Sequence, residues 1–188
     1  LDPQRVMRAQ VCNPGGSTNG ALAESRDQGA SWSKRFDRPG TTPVRVVGGQ
    51  GLLPERFFLL LRQENSQHGL LVRSDDDGTT WNETTQPWSA DDLTPEVEQI
   101  RFGIPEMDPR VPDRLYIGVN FERSRNTPPG VRTFLFSRVL VSDDAGLTWR
   151  DIGFGRENVI TSLKLGVDGQ NLYVATANAI WRLPLGGS

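Results

Sequence analysis

The sequence predicts an all-β protein, a β-propeller segment of about four blades, two of them complete with four strands and two partial. Three observations lead to this prediction. The 20 glycines and 13 prolines in 188 residues exceed their usual combined share of about 12%, which favours frequent turns. One eight-residue motif occurs three times, and a second motif recurs at roughly the 50-residue period of propeller blades. Short apolar runs between Gly, Pro, Asn and Asp are typical of strands joined by turns.

The eight-residue motif, which we call the turn motif, reads S-x-D-x-G-x-[ST]-W in all three copies. We expect its glycine to take a positive φ in a tight hairpin, and its aspartate to accept hydrogen bonds from the backbone of the same turn. We expect its tryptophan to pack between neighbouring blades. The positions assigned a structural role are Ser25, Asp27, Gly29, Trp32, Ser74, Asp76, Gly78, Trp81, Ser142, Asp144, Gly146 and Trp149.

The second motif, P-[QED]-R followed by two apolar residues, precedes each turn motif. Its copies begin at Pro3, Pro54 and Pro112, and a looser copy begins at Gly169. Together the motifs predict blades over residues 1–36, 42–86, 97–153 and 158–188, in a single propeller or propeller fragment spanning 1–188. The first blade is expected to begin at its second strand, and the fourth lacks the turn motif. One helical turn is predicted over residues 89–96.

The turn motif resembles the Asp-box, or bacterial neuraminidase repeat. That repeat marks the β-propellers of sialidases, sortilin-type receptors, xyloglucanase-like glycoside hydrolases and photosystem II assembly factors. The resemblance implies that the motif lies on the hairpin between the third and fourth strands, away from the face that binds substrate. It therefore implies architecture and not catalysis. Such propellers usually have about six to eight blades, so four blades imply a piece of a larger ring, or completion by another chain or a second copy.

Composition excludes several classes of function. The 21 basic and 23 acidic residues give a net charge of −2, which argues against a nucleic-acid partner held by charge. No apolar run approaches the roughly 20 residues of a membrane span. One histidine and one cysteine argue against a transition-metal site, and no cofactor is predicted. The acidic run before Gly78 does not match a calcium loop, because Arg73 would be its first ligand.

The residues do not assign a catalytic site. Resemblance to sialidases would imply an arginine triad, an Arg-Ile-Pro signature and a Tyr/Glu pair, but Arg-Ile-Pro is absent and both tyrosines, Tyr116 and Tyr173, fall in strand positions. Other glycosidases need two carboxylates flanking the scissile bond. The free carboxylates outside the motifs show no spacing that singles out a pair; they are Glu98, Glu106, Asp108 and Glu122.

The third blade carries the most unusual local feature, an insert over Asn120–Arg132 between its second and third strands. This connection is roughly ten residues longer than its counterpart in the second blade, as expected for either a tolerated insertion or a contact loop. Arg123, Arg125 and Arg132 are its candidate binding residues, for a carboxylate or for the acidic patch of a partner.

The sequence favours a non-catalytic scaffold or binding module that engages protein or glycan through loops on one face. An extracytoplasmic location is expected, whether secreted, periplasmic or at the cell surface. Two alternatives stay open. The chain could be an excerpt of a larger sialidase-like or other glycoside hydrolase propeller, or an assembly factor or subunit of a larger complex. Paired carboxylates beside an arginine cluster would favour the enzyme, and an aromatic face without such a pair would favour binding.

Overall fold

The computed structural model describes residues 5–12, 19–48, 55–63, 68–92, 95, 97–127, 130–154 and 158–186. The chain divides into two compact units, Leu1–Thr84 and Thr85–Ser188. The helical segment in the described part is a single 3₁₀ turn, Ala90–Asp92, inside the predicted stretch 89–96. It is far shorter than a helix that could cross a membrane.

The first unit contains two antiparallel sheets. Strands of the first sheet pair in chain order, and they are β1 (Val6–Cys12), β2 (Asn19–Ser25) and β3 (Ser33–Asp37). The second sheet also follows chain order, with β4 (Thr41–Gly48), β5 (Phe57–Gln63), β6 (Gly69–Ser74) and β7 (Asn82–Glu83).

The second unit contains two further antiparallel sheets. The third sheet consists of β8 (Val97–Phe102), β9 (Glu106–Met107), β10 (Leu115–Thr127), β11 (Gly130–Ser142) and β12 (Arg150–Asp151). Its order is β12-β11-β10-β8, and β9 also pairs with β10. The fourth sheet pairs in chain order and consists of β13 (Ile160–Leu165), β14 (Asn171–Thr176) and β15 (Ile180–Pro184).

These four sheets are the blades of a β-propeller segment, so the predicted fold class is confirmed. In the described residues they have three, four, five and three strands. The strand that the sequence did not predict is β9, a two-residue strand that pairs with Leu115 and Tyr116. The grouping of residues 1–188 into one domain stays a prediction.

Each unit has its own apolar core. In the first unit the core joins both sheets, because Leu22 of β2 packs with Leu59 and Leu61 of β5. Phe57–Leu61 is buried at every position, as expected of a strand covered on both faces. In the second unit Tyr116 and Val139 of the third sheet pack with Ile160 and Leu172 of the fourth. Of the two tyrosines assigned to strands, Tyr116 lies in the core and Tyr173 is exposed.

The insert of the third blade is a β-hairpin, so its assignment as a loop was wrong. β10 and β11 continue through it in register, from Asn120↔Ser137 to Arg125↔Arg132 and Thr127↔Gly130. Its many polar residues and the Pro-Pro-Gly sequence indicated a loop, but each strand supplies the backbone partners of the other. The hairpin end of β11 is opposite the end that enters the third turn motif at Ser142.

Candidate functional site

The three turn motifs are closed by the same side-chain hydrogen bonds. In the second copy Ser74 Oγ accepts from Gly78 N at 2.9 Å and donates to Asp76 Oδ1 at 2.8 Å. The carboxylate of Asp76 accepts from Thr80 N at 2.7 Å and from Thr80 Oγ1 at 2.6 Å. The same contacts recur around Asp27 and Asp144. The predicted self-bonding of the aspartate is therefore confirmed.

The backbone of each turn motif takes two successive left-handed residues. Gly29, Gly78 and Gly146 have φ of 96°, 80° and 87°, which confirms the prediction for the glycines. The residue before each glycine is also left-handed, although it is Gln28, Asp77 or Ala145. No glycine marks that position, so the sequence gives no sign of it.

The second motif supports the turn motif through two contacts. The amide of the left-handed residue donates to the residue before the arginine, from Asp77 N to Glu55 O at 3.2 Å and from Ala145 N to Asp113 O at 2.8 Å. The arginine then pairs with the second residue of the turn motif: Arg56 Nε lies 2.5 Å from Asp75 Oδ1, and Arg114 Nε lies 2.5 Å from Asp143 Oδ1. The two sequence motifs are thus two parts of one structural unit.

The turn aspartates make the stability of the folded chain depend on pH in the acidic range. Hydrogen bonds from the hydroxyls of Ser31, Thr80 and Thr148, with further bonds from backbone amides and the motif serines, lower the pKa of Asp27, Asp76 and Asp144 to about 2. A lowered folded-state pKa stabilises the fold above the unfolded-state value, and this stabilisation is lost as pH falls from about 4 to 2. We expect the melting temperature, followed by circular dichroism, to fall in that window.

A matched variant tests the origin of this acid sensitivity. Thr80→Val and Thr148→Val together remove two hydroxyl donors and keep the side-chain shape. The double variant should therefore show a smaller change of melting temperature between pH 4 and 2, and a lower melting temperature near neutral pH. An unchanged slope in the double variant would show that other groups cause the acid response.

The three motif tryptophans differ in their environments. Trp32 and Trp81 donate their indole N–H to the carbonyl of the motif glycine, in each case at 3.1 Å. The ring of Trp81 packs edge-on against Phe36 of the neighbouring sheet at 5.8 Å, as predicted. Trp32 is 40% exposed, so for it the packing between blades stays a prediction. The indole of Trp149 instead donates to Thr85 O at 2.8 Å.

Trp149 borders a cleft of about 290 Å³ in the second unit. We call it the Trp88 cleft, and its lining consists of Thr85, Gln86, Pro87, Trp88, Ser89, Asp92, Arg138, Leu140, Trp149 and Asp151. The segment before β8, two residues of β11, the tryptophan that ends the third turn motif and the short strand β12 supply these residues. Its volume is near the lower end of the roughly 300–1,000 Å³ of ligand pockets, which indicates a small ligand group.

The cleft lining includes a guanidinium that is paired with two carboxylates. Arg138 Nη1 donates to Asp92 Oδ1 at 2.9 Å, and Arg138 Nε lies 3.6 Å from Asp151 Oδ2. The guanidinium carbon also lies 5.6 and 5.1 Å from the ring centroids of Phe121 and Phe136, within cation–π distance. Two carboxylates and two rings therefore hold Arg138 in place.

The remaining lining combines aromatic surface with hydrogen-bond acceptors. The Trp88 ring packs on Phe102 with centroids 4.8 Å apart. Asp92 Oδ2 accepts from Ser89 N at 2.9 Å, so both of its oxygens have partners. Asp151 accepts from Gly153 N through Oδ1 and is 44% exposed. A ligand could therefore pack against the indole rings and donate hydrogen bonds from its hydroxyl groups to Asp151.

The arginines predicted to bind a ligand lie elsewhere in the third sheet. Arg123 is on β10 opposite Phe134, and Arg125 pairs with Arg132. Their side chains lie outside the described residues, so a binding role for them stays a prediction. The hairpin end that carries them is opposite the end of β11 from which the third turn motif leads to Trp149.

Three of the four carboxylates considered for catalysis are each paired with a different basic residue. Glu106 pairs with Lys164 at 2.8 Å, Asp108 is buried and paired with Arg110, and Glu122 lies 3.4 Å from Arg101. The side chain of Glu98 lies outside the described residues. Within the described part of the chain, no group of three His, Cys, Asp or Glu residues is placed to hold a metal ion.

Sequence reasoning missed the Trp88 cleft. Trp88, Arg138 and Asp151 belong to no repeated motif, and Trp149 belongs to one that predicts only a structural role. A usable signal was the Gln86-Pro87-Trp88 run between the second and third blades, because an exposed link rarely carries a tryptophan without a contact for it.

No family model matches this sequence, and no curated protein matches it. Solved structures do resemble it. The GH93 α-L-arabinofuranosidase of Fusarium graminearum in complex with arabinobiose is 14% identical, with a TM-score of 0.54 over 95% of this chain and 55% of that chain. The GH74 enzyme of Niastella koreensis is 16% identical, with a TM-score of 0.55 over 98% of this chain and 29% of that chain. These likenesses show a shared β-propeller fold.

The chain spans about half the length of the arabinofuranosidase and less than a third of the GH74 enzyme. A second structure of the arabinofuranosidase, with an iminosugar inhibitor, gives the same identity, coverage and TM-score.

Proposed function

We propose that this chain is a segment of an Asp-box β-propeller and that it binds carbohydrate. The observation that carries the proposal is the Trp88 cleft, where two indole side chains border a small space that also contains a half-exposed carboxylate. A sugar ring has an apolar C–H face and a rim of hydroxyls. Aromatic rings and a few fixed polar groups complement these two features.

Two further observations support the proposal. The three turn motifs share their hydrogen bonds and backbone conformation, which agrees with Asp-box repeats. The solved structures of similar fold include glycoside hydrolases, one of them described as an α-L-arabinofuranosidase with arabinobiose. A function on glycans, in an extracytoplasmic location, is consistent with both.

Five of the described carboxylates are poorly suited to acid catalysis. A glycosidase needs a general acid whose pKa is raised, so that it carries a proton near neutral pH. Where the pKa of a described carboxylate departs from its ordinary value, the shift is downward; these residues are Glu24, Asp27, Asp76, Asp108 and Asp144. We therefore propose that these five do not supply the acid, and that any catalytic acid of a larger hydrolase comes from other residues.

Titration of the intact chain with sugars tests this function. Arabinobiose, a xyloglucan oligosaccharide and lactose would be titrated by calorimetry and by protein-observed NMR, with release of reducing sugar measured in parallel. We expect at least one of these neutral sugars to bind, without release of reducing ends. Absence of binding at millimolar sugar would contradict the proposal, and sugar release would favour the hydrolase alternative.

A further inference from the structure

The three copies of the turn motif provide an internal comparison for Trp149. In the first two copies the indole N–H satisfies the carbonyl of its own glycine, Gly29 or Gly78. In the third copy that carbonyl, Gly146 O, accepts instead from Thr85 N at 3.1 Å. Thr85 thus takes the place that the tryptophan occupies in the other copies.

The exchange at Thr85 is reciprocal. Its carbonyl accepts the indole N–H of Trp149 at 2.8 Å while its amide donates to Gly146. Two hydrogen bonds through one residue therefore fix the segment that begins the cleft lining against the third turn motif. The same segment continues to Trp88, so this contact sets the position of one indole relative to the other.

The third turn does not need its tryptophan for closure. Asp144 keeps the same bonds as its counterparts, from Thr148 N at 2.8 Å and from Thr148 Oγ1 at 2.6 Å. Ser142 Oγ accepts from Gly146 N at 2.7 Å. The third turn is therefore closed without a hydrogen bond from the indole to Gly146 O, and the indole lines the cleft instead.

We propose that the third turn motif forms part of a ligand site. In this site Trp149 and Trp88 contact the ring of a neutral sugar, and the carboxylate of Asp151 accepts a hydrogen bond from one of its hydroxyls. This inference rests on the proposed carbohydrate binding and adds the residues that contact the sugar, among them one copy of the turn motif. It assigns a binding role to one copy of a motif whose other two copies are structural.

The charges of the lining disfavour an acidic sugar. The lining contains two carboxylates, Asp92 and Asp151, against the single guanidinium of Arg138. Both carboxylates lie against that guanidinium, at 2.9 and 3.6 Å, so a ligand carboxylate would have to displace one of them. An acidic sugar would also face the excess negative charge, which the low dielectric of a cleft strengthens.

The test compares equivalent tryptophans of the same motif. Trp149→Ala and Trp32→Ala remove the same side chain from the same motif position, one bordering the cleft and one exposed elsewhere. With the best neutral oligosaccharide from the titrations, we expect Trp149→Ala to weaken binding about tenfold or more, as for aromatic hot spots. Trp32→Ala should stay within about twofold of the parent chain, since an exposed residue away from the ligand contributes little.

Two milder variants keep the inference testable if Trp149→Ala does not fold. Trp149→Phe retains a ring but loses the bond to Thr85, and Asp151→Asn removes the carboxylate at similar size. Each should weaken binding several-fold, with a circular dichroism spectrum like that of the parent. Addition of sugar should also change the tryptophan fluorescence of the parent, and Trp149→Phe should reduce that change to the part that comes from Trp88.

The outcomes separate this inference from the proposed function. If the parent binds the sugar and the Trp149 and Trp32 variants bind it equally well, the site is elsewhere and carbohydrate binding stands. If 3′-sialyllactose binds as tightly as lactose, the neutral ligand class is wrong. If the parent binds none of the neutral sugars, both proposals fail.

Discussion

Arg5→Met is expected to destabilise the first unit by about 3–5 kcal/mol, the usual cost of removing one partner from a buried ion pair. Arg5 is 11% exposed, and its Nε lies 2.5 Å from Oε1 of Glu24, whose side chain is fully buried. Its Nη1 lies 2.6 Å from Glu55, and it also pairs with Asp77. Methionine would keep apolar volume over the Phe57 ring, which the guanidinium covers at 4.8 Å, but it would leave these carboxylates short of positive charge.

The unusual pairing of Arg5 follows from the sequence of the first turn motif. Arg56 and Arg114 bind an aspartate at the second position of the following turn motif, but the first motif has Arg26 there. Arg5 therefore pairs with Glu24 and with Glu55 and Asp77 of the second repeat. Burial tends to raise the pKa of Glu24, but hydrogen bonds from Arg26 and Arg35 and the charge of Arg5 prevail and lower it.

Arg26→Met is the matched control for Arg5→Met. Arg26 contacts Glu24 and Asp77 as well, but its side chain is 56% exposed, so its loss should cost less than about 1 kcal/mol. Urea unfolding followed by circular dichroism measures both variants. Adding Glu24→Gln to Arg5→Met should recover part of the loss, because it removes one negative charge from a cluster that has lost one of its guanidinium groups. Equal destabilisation by the two arginine variants would show that burial does not govern the contribution of Arg5.

The blades could be predicted from the sequence because their evidence is repeated and local. Every contact that closes a turn motif joins residues within a few positions of one another, so residue types alone indicate the turn. The pairing of each turn motif with a P-x-R motif supplied the period. The strands could be predicted because each lies between two of these motifs or turn-forming residues.

The third-blade hairpin shows where local evidence fails. Residues 120–132 are polar and include turn-forming types, which favour a loop, yet each strand is ordered by the other through cross-strand pairing. A partner of this kind lies outside any window of local propensity. Two of the candidate arginines, Arg125 and Arg132, occupy paired positions in this hairpin, and their binding role stays a prediction.

The Trp88 cleft could not be predicted because its defining contact joins residues 64 positions apart. Trp32, Trp81 and Trp149 occupy the same motif position, but their surroundings separate them into an exposed, a packed and a cleft-lining side chain. Thr85 makes the difference for Trp149, and no pattern marks it. The repeated motifs predicted the fold that the blades share. The candidate site depends on the contact between Trp149 and Thr85, which the other two copies of the motif lack.

Asn120→Ala is expected to lower the free energy of unfolding of the second unit by about 2–4 kcal/mol. Asn120 is buried on β10, and its amide binds the backbone of β13 as a neighbouring strand would. Its Oδ1 accepts from Ile160 N at 2.8 Å, and its Nδ2 donates to Ile160 O at 3.0 Å. Alanine would leave both buried backbone groups without these partners, at about 1–3 kcal/mol for each unmade bond.

Because β10 and β13 approach closely, water cannot readily replace the hydrogen bonds that Asn120→Ala removes. A Cβ atom on Gly118 would lie 2.6 Å from Ile160 Cγ2, so the two strands are already in contact and leave little room for water. Asn178→Ala is the control, because it removes one exposed 3.4 Å bond to Asn158 and should change stability by less than about 0.5 kcal/mol. Asn120→Asp should cost at least as much as Asn120→Ala near neutral pH, because it buries a carboxylate and places an oxygen against Ile160 O where the Nδ2 donor was. If urea unfolding gave the same free energy for Asn120→Ala and Asn178→Ala, the Asn120 bridge would contribute nothing to the packing of the third sheet on the fourth.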